Sequence, residues 1–312
     1  MSTDKLFISF MCFWESFDPN DNVYVDLLRK HYDVVVITDK SEYNLVSMVF
    51  YSCFGDRRNV YKFFLTAKKV YVSGENDVPD FNFCDYSISH CPYDIGGRNI
   101  RFPNWCFLYY KKDIVSMRLT KETYDDSLFD RGFCSFVVSN NNNAHPMRTK
   151  LFKLLNESID NVASGGACLN NIGHRVDDKN DFISRYKFNI AAENSFVDGY
   201  VTEKIADALV SRTVPIYMGD KMAGEDFNHD AFISVTDFPT FGELVKFINQ
   251  VKDDKECYKD FLCAPLFNEK NMQKFYTDRL ESFLVGVVEC GSALIHLYGR
   301  QGIKLSNNLI IS

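Results

Sequence analysis

The chain of 312 residues is long enough for about two domains with a sizeable core, and its 46% hydrophobic and 25% charged residues are ordinary for a globular protein. A formal net charge of −7 excludes a whole-surface basic footprint for nucleic acid, so an anionic substrate must meet locally supplied positive charge. Ten cysteines without a single C-x-x-C pair argue against a zinc ribbon or a thioredoxin-like site; several lie in apolar runs such as Phe133-Cys134-Ser135-Phe136 and read as buried free thiols of a reducing compartment.

In chain order, Lys5–Trp14 reads as a strand, Val23–Tyr32 as a helix, and Asp33–Thr38 and Leu45–Tyr51 as buried strands. Val60–Thr66 is a short helix, followed by strands at Lys69–Ser73, Cys84–Ser89 and Asn99–Phe102. This is the β-α-β rhythm of a parallel sheet covered by helices. The polar stretch 111–130 reads as a linker. A second α/β run follows: strand Phe133–Ser139, the polar turn Asn140–Asn143, helix Pro146–Asn156, helix Asp181–Tyr186, strand Lys187–Ala192, a loop from Glu193 to Gly199, helix Val201–Arg212, strand Val214–Met218 and helix Thr240–Val251. A long helix near 272–297 closes the fold, and the tail beyond Leu297 has little pattern. The expected organisation is two α/β domains, 1–128 and 129–270, with a closing helix and tail over 271–312.

The N-terminus has no signal-peptide pattern, and no stretch reaches the roughly 18 uninterrupted apolar residues of a membrane span. Phe283–Leu297 comes nearest and is broken by Glu289 and Gly291. The expected setting is cytoplasmic, with at most peripheral membrane association. Of the 28 Phe and 17 Tyr, most are expected to fill the core, although aromatic faces also suit sugar rings.

Open α/β sheets bind ligands beyond the carboxyl ends of their strands. Two helices that follow such ends carry a cation in their first turn, Arg148 and Lys204. A cation there opposes the helix dipole at a cost of about 0.3–1 kcal/mol, which an anion held between the two termini reverses. A pyrophosphate suits that place. Glu203 neighbours Lys204 and is expected to point elsewhere, where it can accept from ribose hydroxyls. Gly74-Glu75-Asn76-Asp77 follows the strand ending at Ser73, and a carboxylate there is placed for general-base work. Spacing alone does not choose between Glu75 and Asp77. The six histidines have no metal-ligand spacing, and no D-x-D pair anchors a metal-bound diphosphate.

Three blocks of sequence belong together: Phe188-Asn189-Ile190-Ala191-Ala192-Glu193-Asn194-Ser195, then Gly199-Tyr200-Val201-Thr202-Glu203-Lys204-Ile205, then Val214-Pro215-Ile216-Tyr217-Met218-Gly219. Together they strongly resemble the signature of the inverting, GDP-fucose-dependent α-1,3-fucosyltransferases of bacterial type. Gly74-Glu75-Asn76-Asp77-Val78-Pro79 resembles the acceptor-domain acidic motif of that family. Gly132–Asn140 with Arg148 resembles the start of its donor domain. The resemblance covers roughly residues 65 to 285. It implies a GT-B fold, two Rossmann-like domains facing across a cleft, with an N-terminal acceptor domain and a C-terminal GDP-fucose domain.

It also implies that Glu75 is the general base, that Arg148 and Lys204 neutralise the departing diphosphate, that Asn194 and Tyr200 bind the donor, and that Glu203 holds the ribose. Glu193 and Asp77 are further candidates; the alternative role for Glu193 is to satisfy backbone donors in the turn. The implied reaction moves L-fucose from GDP-β-L-fucose to the 3-hydroxyl of GlcNAc in an N-acetyllactosamine-type oligosaccharide or lipopolysaccharide-type acceptor, giving a Lewis X-type glycan. No cofactor or metal is required, and a divalent cation is at most stimulatory. The alternatives are another linkage or acceptor, such as α-1,4 or a non-lactosamine sugar, and a non-catalytic glycan- or nucleotide-binding protein. The tail lacks the heptad repeats and basic amphipathic end of many bacterial relatives, so the oligomeric state is left open.

Overall fold

A computed structural model of the chain describes residues 4–139, 142, 144–268 and 272–290. Most of the Asn run, the last part of the helix expected over 272–297 and the tail beyond Leu297 lie outside the described residues. The chain forms two compact units, one of residues up to Phe102 together with the segment from Gln273, the other running from Pro103 to Met272.

The first unit is built from β1 (Lys5–Met11), α1 (Val23–Leu28), β2 (Asp33–Val36), β3 (Met48–Tyr51), α2 (Arg58–Phe63), β4 (Lys68–Val72), β5 (Tyr86–Ser89) and β6 (Asn99–Arg101). Its strands pair in parallel in the order β2-β1-β3-β4-β5-β6. All four residues of β3 are buried, as a strand covered by helices on both faces requires. Local chemistry sets several boundaries away from the apolar pattern. β1 stops at Met11 because Cys12 adopts a left-handed φ of 58°. The helix expected from Val60 starts at Arg58, whose N–H donates to Asp56 Oδ1 at 3.1 Å. Lys40–Leu45 winds as a 3-10 turn capped by Asp39, so β3 starts only at Met48.

The second unit contains α3 (Asn104–Tyr109), β7 (Gly132–Phe136), α4 (Met147–Ser158), β8 (Val162–Ser164), α5 (Lys179–Ile183), β9 (Tyr186–Ala192), α6 (Glu203–Val210), β10 (Val214–Met218), α7 (Ala223–Asp226), β11 (Ile233–Ser234), α8 (Phe241–Asp253) and α9 (Lys255–Cys263). Its five strands are again all parallel, in the order β8-β7-β9-β10-β11. Numbered within the unit this order is 2-1-3-4-5, a doubly wound Rossmann-like sheet whose switch point lies between β7 and β9.

The unit boundary falls after Phe102, not near 128, because the chain beyond it is held by the second unit. Trp105 Nε1 donates to Asp226 Oδ2 at 3.2 Å, and the Tyr109 hydroxyl donates to Asp207. The stretch expected as a linker is anchored too. Arg118 is buried and donates to the carbonyls of Phe261 (2.6 Å), Ala264 (3.1 Å) and Leu209 (3.4 Å). The closing helix α10 (Met272–Glu289) belongs with the first unit: Glu281 meets Lys30 at 2.6 Å and His31 at 2.7 Å, and Lys68 Nζ donates to the Val287 and Val288 carbonyls. No helix among the described residues is long and apolar enough to cross a membrane.

β7 ends at Phe136 where the chain turns to meet the loop after β8. Cys168 N–H donates to the Val138 carbonyl at 2.9 Å. A Cβ on Gly166 would lie 2.1 Å from Val138 O and 2.5 Å from its C and N. These are backbone atoms that cannot step aside. Gly166→Ala is therefore expected to destabilise the second unit by about 1–3 kcal/mol, the usual cost of overpacking, read as a lower midpoint in urea denaturation.

Candidate active site

At the β7/β9 switch point, α4 presents Arg148 on its inward stripe. Residues 148, 151, 152 and 155 recur at the i, i+3, i+4, i+7 spacing of one helix face, and all four are buried. The Arg148 side chain is 1% exposed, and its Nε and Nη2 donate to the carbonyl of Ala192, the last residue of β9, at 3.2 and 3.0 Å. Nη2 also donates to Asn194 Oδ1. Burial pulls the Arg148 guanidinium below its ordinary value, against the upward pull of Glu193. His145 joins the two loops from the other side: its N–H donates to the Asn194 carbonyl at 2.8 Å, and its ring packs on Phe196 at 4.4 Å between centroids. Arg148 and Asn194, 46 residues apart in the chain, are thus neighbours.

Glu193 is fully buried under the start of α6. Its Oε1 accepts the Thr202 N–H at 2.8 Å, and its Oε2 accepts the Thr202 hydroxyl at 2.7 Å and faces Lys204 Nζ at 3.1 Å. Glu193 therefore satisfies a first-turn donor of α6 and holds the lysine as well. Glu203 and Lys204 do not diverge as expected. The four-carbon stem of Lys204 folds back, so Nζ lies 2.8 Å from Thr202 Oγ1 and 3.4 Å from Glu203 Oε1. Burial would raise the Glu203 carboxyl, but Lys204 and Lys179 outweigh it and hold it down at about 2. Burial likewise would lower Lys204, but Glu193 and Glu203 hold its ammonium above the usual range. The first-turn cation is thus offset within the protein by two carboxylates.

Tyr200 is 3% exposed, at the end of a turn in which Gly199 takes a φ of 79°. Asp220 Oδ1 pins this turn by accepting from Gly199 N–H and Met222 N–H, both at 3.0 Å. Gly219 is needed because a Cβ there would lie 2.3 Å from the Tyr217 hydroxyl and 2.7 Å from Glu193 Cγ. Asp220 and Lys179 were not read from the sequence. The only signal for Asp220 is its place directly after Gly219; Lys179 sits 24 positions before Glu203 and leaves none.

In the first unit, the loop after β4 carries Glu75 and Asp77. Ser73 Oγ donates within this loop, lying 2.8 Å from the Glu75 carbonyl and 3.0 Å from that of Asp77, and the Asp77 N–H donates to the Glu75 carbonyl at 2.8 Å. The two residues differ in exposure. Asp77 Oδ2 accepts from Arg57 Nη2 at 2.6 Å and from the Tyr71 hydroxyl at 2.7 Å, whereas the Glu75 side chain is exposed. His90, 5% exposed, has Nδ1 3.1 Å from Ser73 Oγ. Burial, then Arg101, push its imidazole down to about 4.

The unfolded chain takes up a proton near pH 6.5 that native His90 refuses. Its contribution to stability is therefore present above 6.5 and is lost as pH falls towards 4, by about 3 kcal/mol over that window. His90→Gln is expected to flatten this limb when urea midpoints are compared at pH 7 and pH 4.5.

Residues 131–277 match the model for the glycosyltransferase family 10 (fucosyltransferase) C-terminal region, and residues 8–109 match that for the alpha-(1,3)-fucosyltransferase FucT N-terminal domain. The chain is 32% identical over 293 residues to alpha-(1,3)-fucosyltransferase FucT of Helicobacter pylori, spanning 83% of this chain and 59% of that protein. It is 32% identical over 154 residues to 4-galactosyl-N-acetylglucosaminide 3-alpha-L-fucosyltransferase 9 of Mus musculus, spanning 47% of this chain and 39% of that protein. The chain thus spans less than two thirds of the length of these curated relatives. A solved alpha1,3-fucosyltransferase with GDP-fucose matches with a TM-score of 0.79 at 28% identity, covering 96% of this chain and 94% of that one. The two Rossmann-like α/β domains are those of the GT-B fold. The chain belongs to glycosyltransferase family 10, the fucosyltransferases.

Proposed function

We propose that the chain transfers L-fucose from GDP-β-L-fucose to the 3-hydroxyl of GlcNAc in an N-acetyllactosamine-type glycan, with inversion, giving a Lewis X-type product. The observation that carries this reading is the convergence of Arg148, Asn194, Glu203 and Lys204 on the switch point of the second sheet. Cations at that place, each at the start of a helix, suit a nucleotide diphosphate.

In the proposed reaction the acceptor oxygen attacks the anomeric carbon while its proton passes to the Glu75 carboxylate. The bond from that carbon to the diphosphate oxygen breaks, and its electron pair leaves with GDP. Arg148 and Lys204 meet the charge that develops there, in a setting where fixed charges act strongly. Asn194 and Tyr200 hold the donor. Glu203, ionised at every working pH, accepts from the ribose hydroxyls. Glu193 positions Lys204, and Asp77 positions the loop that carries Glu75. The acceptor in this reading is an oligosaccharide or lipopolysaccharide-type precursor, met in the cytoplasm.

The test is product formation from GDP-fucose and N-acetyllactosamine, followed by mass spectrometry beside GDP-mannose and UDP-galactose controls. A gain of one deoxyhexose with GDP-fucose alone, with an α-1,3 linkage by NMR, is the expected result. No gain with any of the three donors, and no GDP binding, sinks the reading.

A further inference from the structure

The first unit holds a cavity of about 420 Å³ that the reaction above leaves unused. Its lining includes Tyr51, Arg57, Tyr61, Tyr71, Asp80 and Phe83. The size lies within the roughly 300–1,000 Å³ of small-molecule sites. We infer that it is a carbohydrate subsite for a neutral pyranose of the acceptor chain, one or more units away from the sugar that receives fucose. The inference rests on the fucosyltransferase reading and extends it to the acceptor.

The walls are aromatic faces rather than polar tips. Tyr51 lies 5.4 Å from Tyr71 and 6.5 Å from Tyr61 between ring centroids, and Tyr61 lies 6.0 Å from Phe83. The hydroxyls of Tyr51 and Tyr61 both donate to the Phe83 carbonyl, and that of Tyr71 donates to Asp77. Tyr51 and Tyr71 are buried, at 2% and 1% exposure, and form the floor, so half-buried Tyr61 and exposed Phe83 are the rings that offer a face to the C–H-rich side of a pyranose. Phe83 is 39% exposed, a large apolar ring at the surface.

Charge selects a neutral ligand. Arg57 is paired with Asp77 at 2.6 Å, and Arg58 with Asp56 through two bonds of 2.8 Å. Asp80, whose Oδ1 accepts from Asn82, adds a third carboxylate against the two guanidinium groups. Lys69 Nζ, 5.8 Å from the Tyr61 ring centroid, brings the balance to zero, so no net positive charge is offered to a phosphate or an acidic sugar, while sugar hydroxyls find acceptors and donors at the rim.

Position ties the cavity to the acceptor. Tyr71 forms part of its lining and donates to the same Asp77 oxygen that receives Arg57. Asp77 in turn is hydrogen-bonded through the backbone to Glu75, and Ser73 holds both. A sugar seated against Arg57, above the buried Tyr71, is therefore registered to the loop that carries Glu75.

The experiment is saturation-transfer NMR with the full chain and GDP, using an N-acetyllactosamine disaccharide and the tetrasaccharide of two such units, with KM and kcat measured for both. Wild type is expected to show saturation on both units of the tetrasaccharide and a roughly tenfold lower KM for it than for the disaccharide. Phe83→Ala is expected to lose saturation on the second unit alone and to raise the tetrasaccharide KM to the disaccharide value, with kcat little changed. Tyr61→Leu removes a second wall independently and is expected to do the same. A tetrasaccharide whose outer sugar is oxidised to a uronic acid is expected to lose saturation on that sugar.

Equal KM for the two acceptors with saturation confined to one unit overturns the subsite, as does an unchanged tetrasaccharide preference in both variants. Absence of any saturation from the tetrasaccharide also overturns it, whether or not fucose is transferred. Saturation of both units with no transfer of fucose leaves the subsite standing and sinks the reaction instead.

Discussion

Glu75→Gln is expected to lower kcat by about 10²–10⁴, the span that a positioned general base contributes, while leaving GDP affinity within about twofold. Glutamine keeps the shape and hydrogen-bonding reach of the side chain but cannot take the acceptor proton. The contrast with Asp77 makes this prediction specific. Asp77 already receives a guanidinium N–H and a tyrosine hydroxyl on one oxygen, and protonating it would set it against both. Asp77→Asn is therefore expected to act by loosening the loop: KM for the acceptor rises, and the bell-shaped pH profile keeps its acid limb. In Glu75→Gln the acid limb of kcat/KM disappears with the activity. Wild-type turnover by Glu75→Gln removes the base from this residue, and the same loss of the acid limb in Asp77→Asn moves it to the neighbour.

The choice between these two carboxylates was not available from spacing, and the reason is physical. Glu75 and Asp77 stand at the same strand end, and what sets Asp77 apart, its bonds to Arg57 twenty residues upstream and to Tyr71 in β4, is a tertiary feature. The strands themselves were legible, because Val70-Tyr71-Val72 and Phe188-Asn189-Ile190-Ala191-Ala192 are largely apolar runs that a sheet covered on both sides buries, whereas Val34-Val35-Val36, expected as a buried strand, is only half-buried because β2 lies at the sheet edge. Arg148 and Lys204 were legible as first-turn cations for the same local reason.

Missed features depend on distant partners. Arg118 looks like one more charge in a polar linker until three carbonyls from Leu209, Phe261 and Ala264 close over it. The fold-back of Lys204 onto Glu203 depends on Glu193 eleven residues earlier, brought under α6 by the turn at Gly199.

Lys204→Met is expected to cost more than any other single change at the donor site, and in two separable ways. It removes a cation from the diphosphate, so GDP binding and kcat/KM fall together, by at least tenfold each. It also leaves Glu193, fully buried, without its counter-charge, and breaking a buried pair in this way costs about 3–5 kcal/mol. The two Thr202 bonds to Glu193 remain and moderate that loss. Lys204→Met combined with Glu193→Gln is expected to recover most of the stability, because a neutral amide still accepts from Thr202, and to recover none of the GDP affinity.

The pH dependence gives an independent check. Glu203, held at about 2 in the folded protein, contributes stability that is present above about pH 4.5 and lost as pH falls towards 2. Lys204, raised above its ordinary value, contributes below about pH 10.5 and loses its contribution as pH rises through the folded value. Removing the lysine takes away the larger of the two charges that hold Glu203 down and leaves Lys179, so the acid limb of urea midpoints between pH 4.5 and 2 becomes shallower in Lys204→Met and stays shallower in the double variant. A double variant that regains both stability and GDP affinity makes Lys204 a scaffold residue and leaves the diphosphate to Arg148.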